Sequence, residues 1–236
     1  MLTANQTEIK IHLVMKKSIV YFFLLLLTFS CGVQKQIIDK PIVFNAEREE
    51  LTRDYIQKQY GLDKETAEII PKIIVLHWTV IPTTDGSFEA FKEAKLPNWR
   101  ADIETISGLN VSSHFLVAQD GTIYRLMPET KMARHVIGLN YSAIGIENVG
   151  GTDDLPLTRA QIRANIWLVK YLKTKYAIDY LIGHYEYENF EGHELWLELN
   201  DDYRTKKTDP GIGFMKKVRK ATKKLNFKPT PQKITQ

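Results

Sequence analysis

Three things are scarce in this chain of 236 residues, and each scarcity excludes something. There is one cysteine, so no internal disulfide can staple the fold, and that thiol needs another explanation. An excess of one charge sign is nearly absent: 32 basic side chains face 28 acidic ones, a net +4. Removing Lys10, Lys16, Lys17 and Glu8 from the first thirty residues leaves 29 against 27, or +2. That balance argues against nucleic acid as a partner. Long apolar runs are also missing. The run Ile19–Leu27 is far shorter than the ~20 residues a membrane-crossing helix needs. No internal repeat and no low-complexity segment is present. What remains is ordinary globular composition, 44% hydrophobic and 25% charged, enough for one substantial domain.

The lone cysteine sits at an informative place. Lys16-Lys17 precedes the apolar run, and Thr28-Phe29-Ser30-Cys31-Gly32 follows it. A basic start, a short apolar core and small residues at the end are the parts of a secretory signal peptide. Met15 is an alternative start, because residues 1–14 are polar ahead of that signal. The ending resembles a bacterial lipoprotein signal, which implies lipidation of Cys31 and an exported, membrane-anchored protein facing the periplasm or the cell surface. The alternative is a soluble exported protein with an unmodified Cys31.

Residues 32–66 read as a polar tether, to about Lys40, followed by a helical extension over Asn45–Tyr60 and a second short helix from Asp63. A domain is expected from 67 to 225. Ile73-Ile74-Val75-Leu76 is a β-branched run suited to a strand buried on both faces. Ser113–Met127 reads as a hairpin around Asp120-Gly121, and Ala143–Val149 as another strand closed by Gly150-Gly151. Thr158 with Gln161 forms a capping box ahead of Ile162, Ile166, Val169 and Tyr176 at helical spacing. Tyr180-Leu181-Ile182 is a further short strand, and residues 226–236 read as a loose tail. Strands interleaved with helices predict an α/β fold, a single domain with a central mixed sheet flanked by helices.

His77 and His184 each follow a predicted strand, and Asp209 lies in the turn-forming stretch Lys207-Thr208-Asp209-Pro210-Gly211. Two imidazoles and a carboxylate, with a fourth position open, make a catalytic zinc site. Distant ligands do not prove one, and a single His is more often a hydrogen-bonded core or surface residue.

Five blocks in order carry a family resemblance: Leu76-His77-Trp78-Thr79; Ser112-Ser113-His114-Phe115 with Asp120-Gly121-Thr122; His135; Ile144-Gly145-Ile146-Glu147; and Gly183-His184 followed by Lys207–Gly211. Over roughly residues 72–220 the chain resembles the N-acetylmuramoyl-L-alanine amidases, the type shared by phage amidases, AmpD-type amidases and animal peptidoglycan recognition proteins. The resemblance implies one zinc ion in a groove at the strand ends, held by His77, His184 and Asp209. It implies Glu147 as the residue handling the water proton and Lys207 as a stabiliser of transition-state charge. It implies substrate contact by His135 and Asn140. An Asp as third ligand resembles the AmpD-type branch, and Ser113 stands where phage-type members carry a catalytic tyrosine. The implied substrate is peptidoglycan or muropeptides, and a monomer is expected.

Plainer readings stand beside these. Glu147, on the side of its strand opposite Ile144 and Ile146, would ordinarily face solvent. Lys207 belongs to the charged run Arg204–Lys207, usually a solvated face. His114 reads equally as structural or functional, and His193 as surface. The basic side chains from Lys216 to Lys224 read as a solvated helix face. The loop 185–206 and the segment Asp85–Arg100, with Phe88, Phe91, Pro97 and Trp99, are expected either to wall the groove or to pack over the domain. Two rival functions remain: a non-catalytic peptidoglycan sensor and a zinc peptidase acting on the stem peptide.

Overall fold

Ile73–Leu76 forms a strand with all four residues buried, as a continuous β-branched run between two covered faces requires. The computed structural model describes residues 36–103 and 105–232. The signal segment and Cys31 lie outside them, as does the Trp99 side chain. Among the described residues no helix is long and apolar enough to cross a membrane.

The elements in order are β1 (Ile37–Asp39), α1 (Ala46–Tyr60), β2 (Ile73–Leu76), α2 (Thr84–Lys92), β3 (Phe115–Val117), β4 (Ile123–Arg125), β5 (Ala143–Asn148), α3 (Arg159–Lys175), β6 (Tyr180–Gly183) and α4 (Ile212–Thr222). They form the expected mixed α/β domain around a six-stranded sheet of order β1-β4-β3-β5-β2-β6. Strands β3, β5, β2 and β6 run parallel, while β4 pairs antiparallel to β3. The edge strand β1 runs with β4, so it points against β5. Register places Ile37 level with Ile123, Val117 and Asn148, at the carboxyl end of β5.

One face of the sheet is covered by α3 and α4, with Ile74, Leu76, Ile144 and Ile146 packed against Leu168, Val169, Leu172 and Val218. Helix α3 starts at the predicted capping box, in which Thr158 and Gln161 satisfy each other's backbone. The opposite face carries Ile73, Val75, Ala143, Tyr180 and Ile182, covered by Val136–Leu139 and by Tyr187, Phe190 and Trp196. Helix α2 joins this cover through Phe91, which packs with Leu116 of β3.

Four expectations differ from the structure. Within the segment read as tether, Ile37–Asp39 adds β1 to the sheet, because two isoleucines ahead of Pro41 suit an extended edge. No helix starts at Asp63. That stretch runs irregularly, tied down by bonds from Ala67 to Glu49 and from Ile69 to Thr130. The tail is held as far as Thr230: Lys228 N–H donates to Asp179, Thr230 Oγ1 accepts from Arg219 at 3.4 Å, and Phe227 packs on the helix-covered core. His193 is half-buried: its Nδ1 accepts from Leu195 N–H at 3.2 Å, and its other ring nitrogen meets the Tyr180 hydroxyl at 3.1 Å.

Candidate metal centre

Strand alternation decides which residues can meet. Val75 and Ile182 face away from α3 and α4, and two residues further on, His77 and His184 emerge on that same side. In β5 the same parity puts Gly145 and Glu147 with Ala143 on this face. Backbone bonds from His77 N–H to Ile146 (2.8 Å) and from Asn148 N–H to His77 (3.2 Å) bracket Glu147 beside His77. The loop before α4 brings in Asp209, whose carbonyl accepts from Tyr185 N–H at 3.2 Å.

Three ligand atoms converge there. His77 Nδ1 and His184 Nδ1 lie 3.0 Å apart, and Asp209 Oδ2 lies 3.2 Å from the first and 3.0 Å from the second. Zinc bonds of about 2.0–2.2 Å in a tetrahedron set ligand atoms roughly 3.3 Å apart. The triangle therefore has the size of one tetrahedral face. All three residues are buried, and this is the cluster that can hold a metal ion among the described residues. Burial depresses His184 to about 4, assisted by the neighbouring His77. Burial pushes Asp209 up, but hydrogen bonds to His184 and His77 outweigh it and hold the carboxyl well below its usual range. Neutral imidazole and ionised carboxylate are the protonation states a zinc ion needs.

The tautomer of His77 is also determined. His135 Nε2 lies 3.3 Å from the Ala143 carbonyl, which can only accept, so that nitrogen carries the proton. Burial, aided by the charges of His77 and His114, holds His135 well below its ordinary value and keeps it neutral. Its Nδ1 therefore accepts from His77 Nε2–H at 3.0 Å, leaving the His77 Nδ1 lone pair free for a metal. Gly145 makes room for this relay: a Cβ there would come within 2.9 Å of the His135 ring and 2.8 Å of Ser113 Oγ.

Glu147 is buried with His77, His184 and Asp209 in one cleft. Its Oε2 has no hydrogen-bond partner among the described residues. Burial raises it to about 7, with Asp209 pushing the same way and His77, Arg100 and Lys207 opposing. Lys207 is half-buried in the cleft wall rather than wholly solvated, and Lys206 beside it is exposed. Arg100 lines the same cleft. The sequence flagged it only as the end of a segment, because a lone arginine in irregular chain carries no periodic signal.

The remaining candidates sort by their hydrogen bonds. His114 donates to the Lys131 carbonyl (2.8 Å) and accepts from Gly145 N–H (3.0 Å), so both nitrogens serve the backbone. Asn140 Oδ1 accepts from His135 N–H (2.8 Å) and Val136 N–H (2.7 Å), while its amide donates to Tyr60 (3.0 Å) and Tyr55 (3.4 Å). That side chain shapes the His135 turn from inside the fold. The 185–206 loop takes both expected roles. Trp196 stacks on Tyr187 and under Arg204 against Gly138, whereas Tyr203 and Thr205 line a hollow continuing from the cleft past His135. Phe91 reaches the cleft, whereas Phe88 packs on the core around it. Among the basic residues on and after α4, Arg219 pairs with Glu186, and the lysines are exposed.

Residues 65–212 match the family described as N-acetylmuramoyl-L-alanine amidase. The endolysin of Escherichia phage T7 is 34% identical over 83 residues, 33% of this chain and 55% of that protein. The endolysin of Klebsiella phage KP32 is 31% identical with the same coverage, so the chain spans about half the length of these curated relatives. In structure, the N-acetylmuramoyl-L-alanine amidase LysC from Clostridium intestinale URNW is similar in fold. Its TM-score is 0.50 at 22% identity, over 83% of this chain and 100% of that one. The family match covers more than half of the residues, including all three ligand positions and Glu147, and the chain belongs to the N-acetylmuramoyl-L-alanine amidase family.

Proposed function

We propose that this protein hydrolyses the amide bond between N-acetylmuramic acid and L-alanine in peptidoglycan or muropeptides, using one zinc ion. The observation that carries this reading is the closed triangle of His77, His184 and Asp209, with Glu147 buried beside it and an open cleft in front. A zinc ion held by those three atoms would polarise the amide carbonyl and acidify water to a pKa of about 7. Glu147, with an unpartnered oxygen in the cleft, takes a proton from the attacking water and returns it to the departing alanine nitrogen. Lys207 and Arg100 place fixed positive charge where the carbonyl oxygen becomes negative, and partial burial strengthens that attraction. His135 keeps the His77 lone pair aimed, and Asn140 holds the turn that carries His135, acting by positioning rather than by touching substrate.

Mass spectrometry of products tests the reading, using peptidoglycan and soluble muropeptides with the wild type and Asp209→Ala. Free stem peptides beginning at L-alanine, absent with the variant, are expected. Substrate that co-sediments uncut would favour a sensor, and cleavage at another bond a peptidase. The signal pattern ending at Cys31 supports an exported, lipid-held protein, for which loss of membrane association in Cys31→Ser is the check.

A further inference from the structure

Val80, three residues beyond His77, is held at φ 51°. Among the described residues only Asn226 shares a positive φ without being glycine, and asparagine tolerates that region. A β-branched side chain does not, because its branch crowds the neighbouring carbonyl. Such a conformation persists only where its surroundings over-determine it, and here they do. Val80 N–H donates to Gly150 at 3.0 Å, Gly150 N–H returns a bond to Ile81 at 3.0 Å, and Thr79 Oγ1 accepts from Ile81 N–H at 3.1 Å. The turn is thereby fastened to the end of β5.

The strain gains no core packing. Val80 is 58% exposed, and it lines the metal cleft together with Trp78, Ile81 and Phe91. Glycine would make the same backbone bonds without the clash. What valine adds is an apolar surface at the mouth of a cleft whose other lining includes Arg100 and Lys207.

We infer that Val80 is a specificity-determining residue whose isopropyl group packs against a methyl group flanking the scissile amide. The inference rests on the proposed activity. The N-acetylmuramoyl-L-alanine linkage carries a methyl on each side of the amide, on the lactyl carbon and on the alanine α-carbon. Metal, carboxylate and ammonium recognise the amide itself, and an apolar contact is what distinguishes a methyl-bearing neighbour from a bare one.

The test measures kcat/KM of the zinc-loaded full chain, as wild type, Val80→Gly and Val80→Asn. The substrates are a muramoyl-L-alanyl peptide, its glycine analogue, and an analogue with a glycolyl in place of the lactyl group. The wild type is expected to lose about tenfold on one of the two demethylated substrates, the discrimination one methyl supports. Both variants are expected to level that difference while melting no lower than the wild type, because both residues accept the positive φ. Unchanged discrimination in the variants would overturn the inference and leave the proposed activity intact. An equal loss on all three substrates with a lowered melting temperature would overturn it in favour of a purely structural Val80. Failure of the wild type to cut any of them would overturn the proposed activity and this inference with it.

Discussion

The two faces of the sheet are covered in different ways. Behind it, α3 and α4 lay down Leu168, Val169, Leu172 and Val218, side chains with no polar atom to satisfy. In front, the cover is mostly irregular chain, and it includes buried His114, Arg134 and Asn140 and half-buried His135. Arg134, for example, is fixed by the carbonyls of Ser107 and Leu109 and by the Tyr203 hydroxyl. The back face depends mostly on summed apolar area, with one polar seam where Gln161 donates to the Val117 and Val149 carbonyls and Asn165 donates to Asn148, whereas the front face depends on many particular hydrogen bonds. The contrast teaches that the candidate metal centre is placed by polar positions with few interchangeable substitutes, Asn148 behind the His77 carbonyl among them, on a floor that is otherwise apolar.

The largest expected effect tests the front face directly. Asp209→Ala should abolish activity and weaken zinc binding by more than the roughly 10–100-fold that loss of an outer hydrogen-bond partner brings; metal content after dialysis and turnover would show it. On the back face, Leu168→Ala should cost about 3 kcal/mol in denaturant unfolding, the usual price of a buried leucine. Zinc affinity should stay put, and a parallel loss of metal would break the division between faces. Asn140→Ala leaves one buried and one part-buried N–H group without their acceptor, so about 2–3 kcal/mol is expected. Here zinc affinity should fall too, because the His135 turn loosens.

The next prediction concerns pH. In the metal-free protein Glu147 ionises near 7 instead of 4.5. Below pH 4.5 it is protonated both folded and unfolded and costs nothing. As pH rises toward 7 the unfolded chain ionises freely and the folded one does not, so stability falls and the full cost is present above 7. Glu147→Gln should therefore stabilise the chelated protein by about 3 kcal/mol at pH 8 and hardly at all at pH 4, read from melting curves. The smallest effect is His135→Phe, which frees the His77 tautomer and should lower zinc affinity about tenfold, the low end for an outer partner.

The same division explains what the sequence made legible. Ile73–Leu76, the Thr158–Gln161 box and the alternation of Ile144, Ile146 and Glu147 follow local rules of period and capping. They yielded the strands, the start of α3 and the side of β5 on which Glu147 lies, although alternation alone pointed that side at solvent. The candidate triad was readable because His77 and His184 follow strands, Asp209 lies in a turn, and all three stand in an ordered set of blocks. The Asn140 bonds to Tyr55 and Tyr60 and the place of Arg100 were not readable, since they join residues far apart in the chain and leave no periodic trace. The edge strand β1 was missed for a related reason: three residues carry too little pattern to signal a strand.

That edge strand has a directional consequence. Because β1 runs against β5, the chain enters the fold level with Asn148, at the end of the sheet where the ligands emerge. Three strand spacings, about 14 Å, separate the entry from β5. A contact made at residue 36 would therefore lie at the end of the sheet that carries His77, His184 and Glu147.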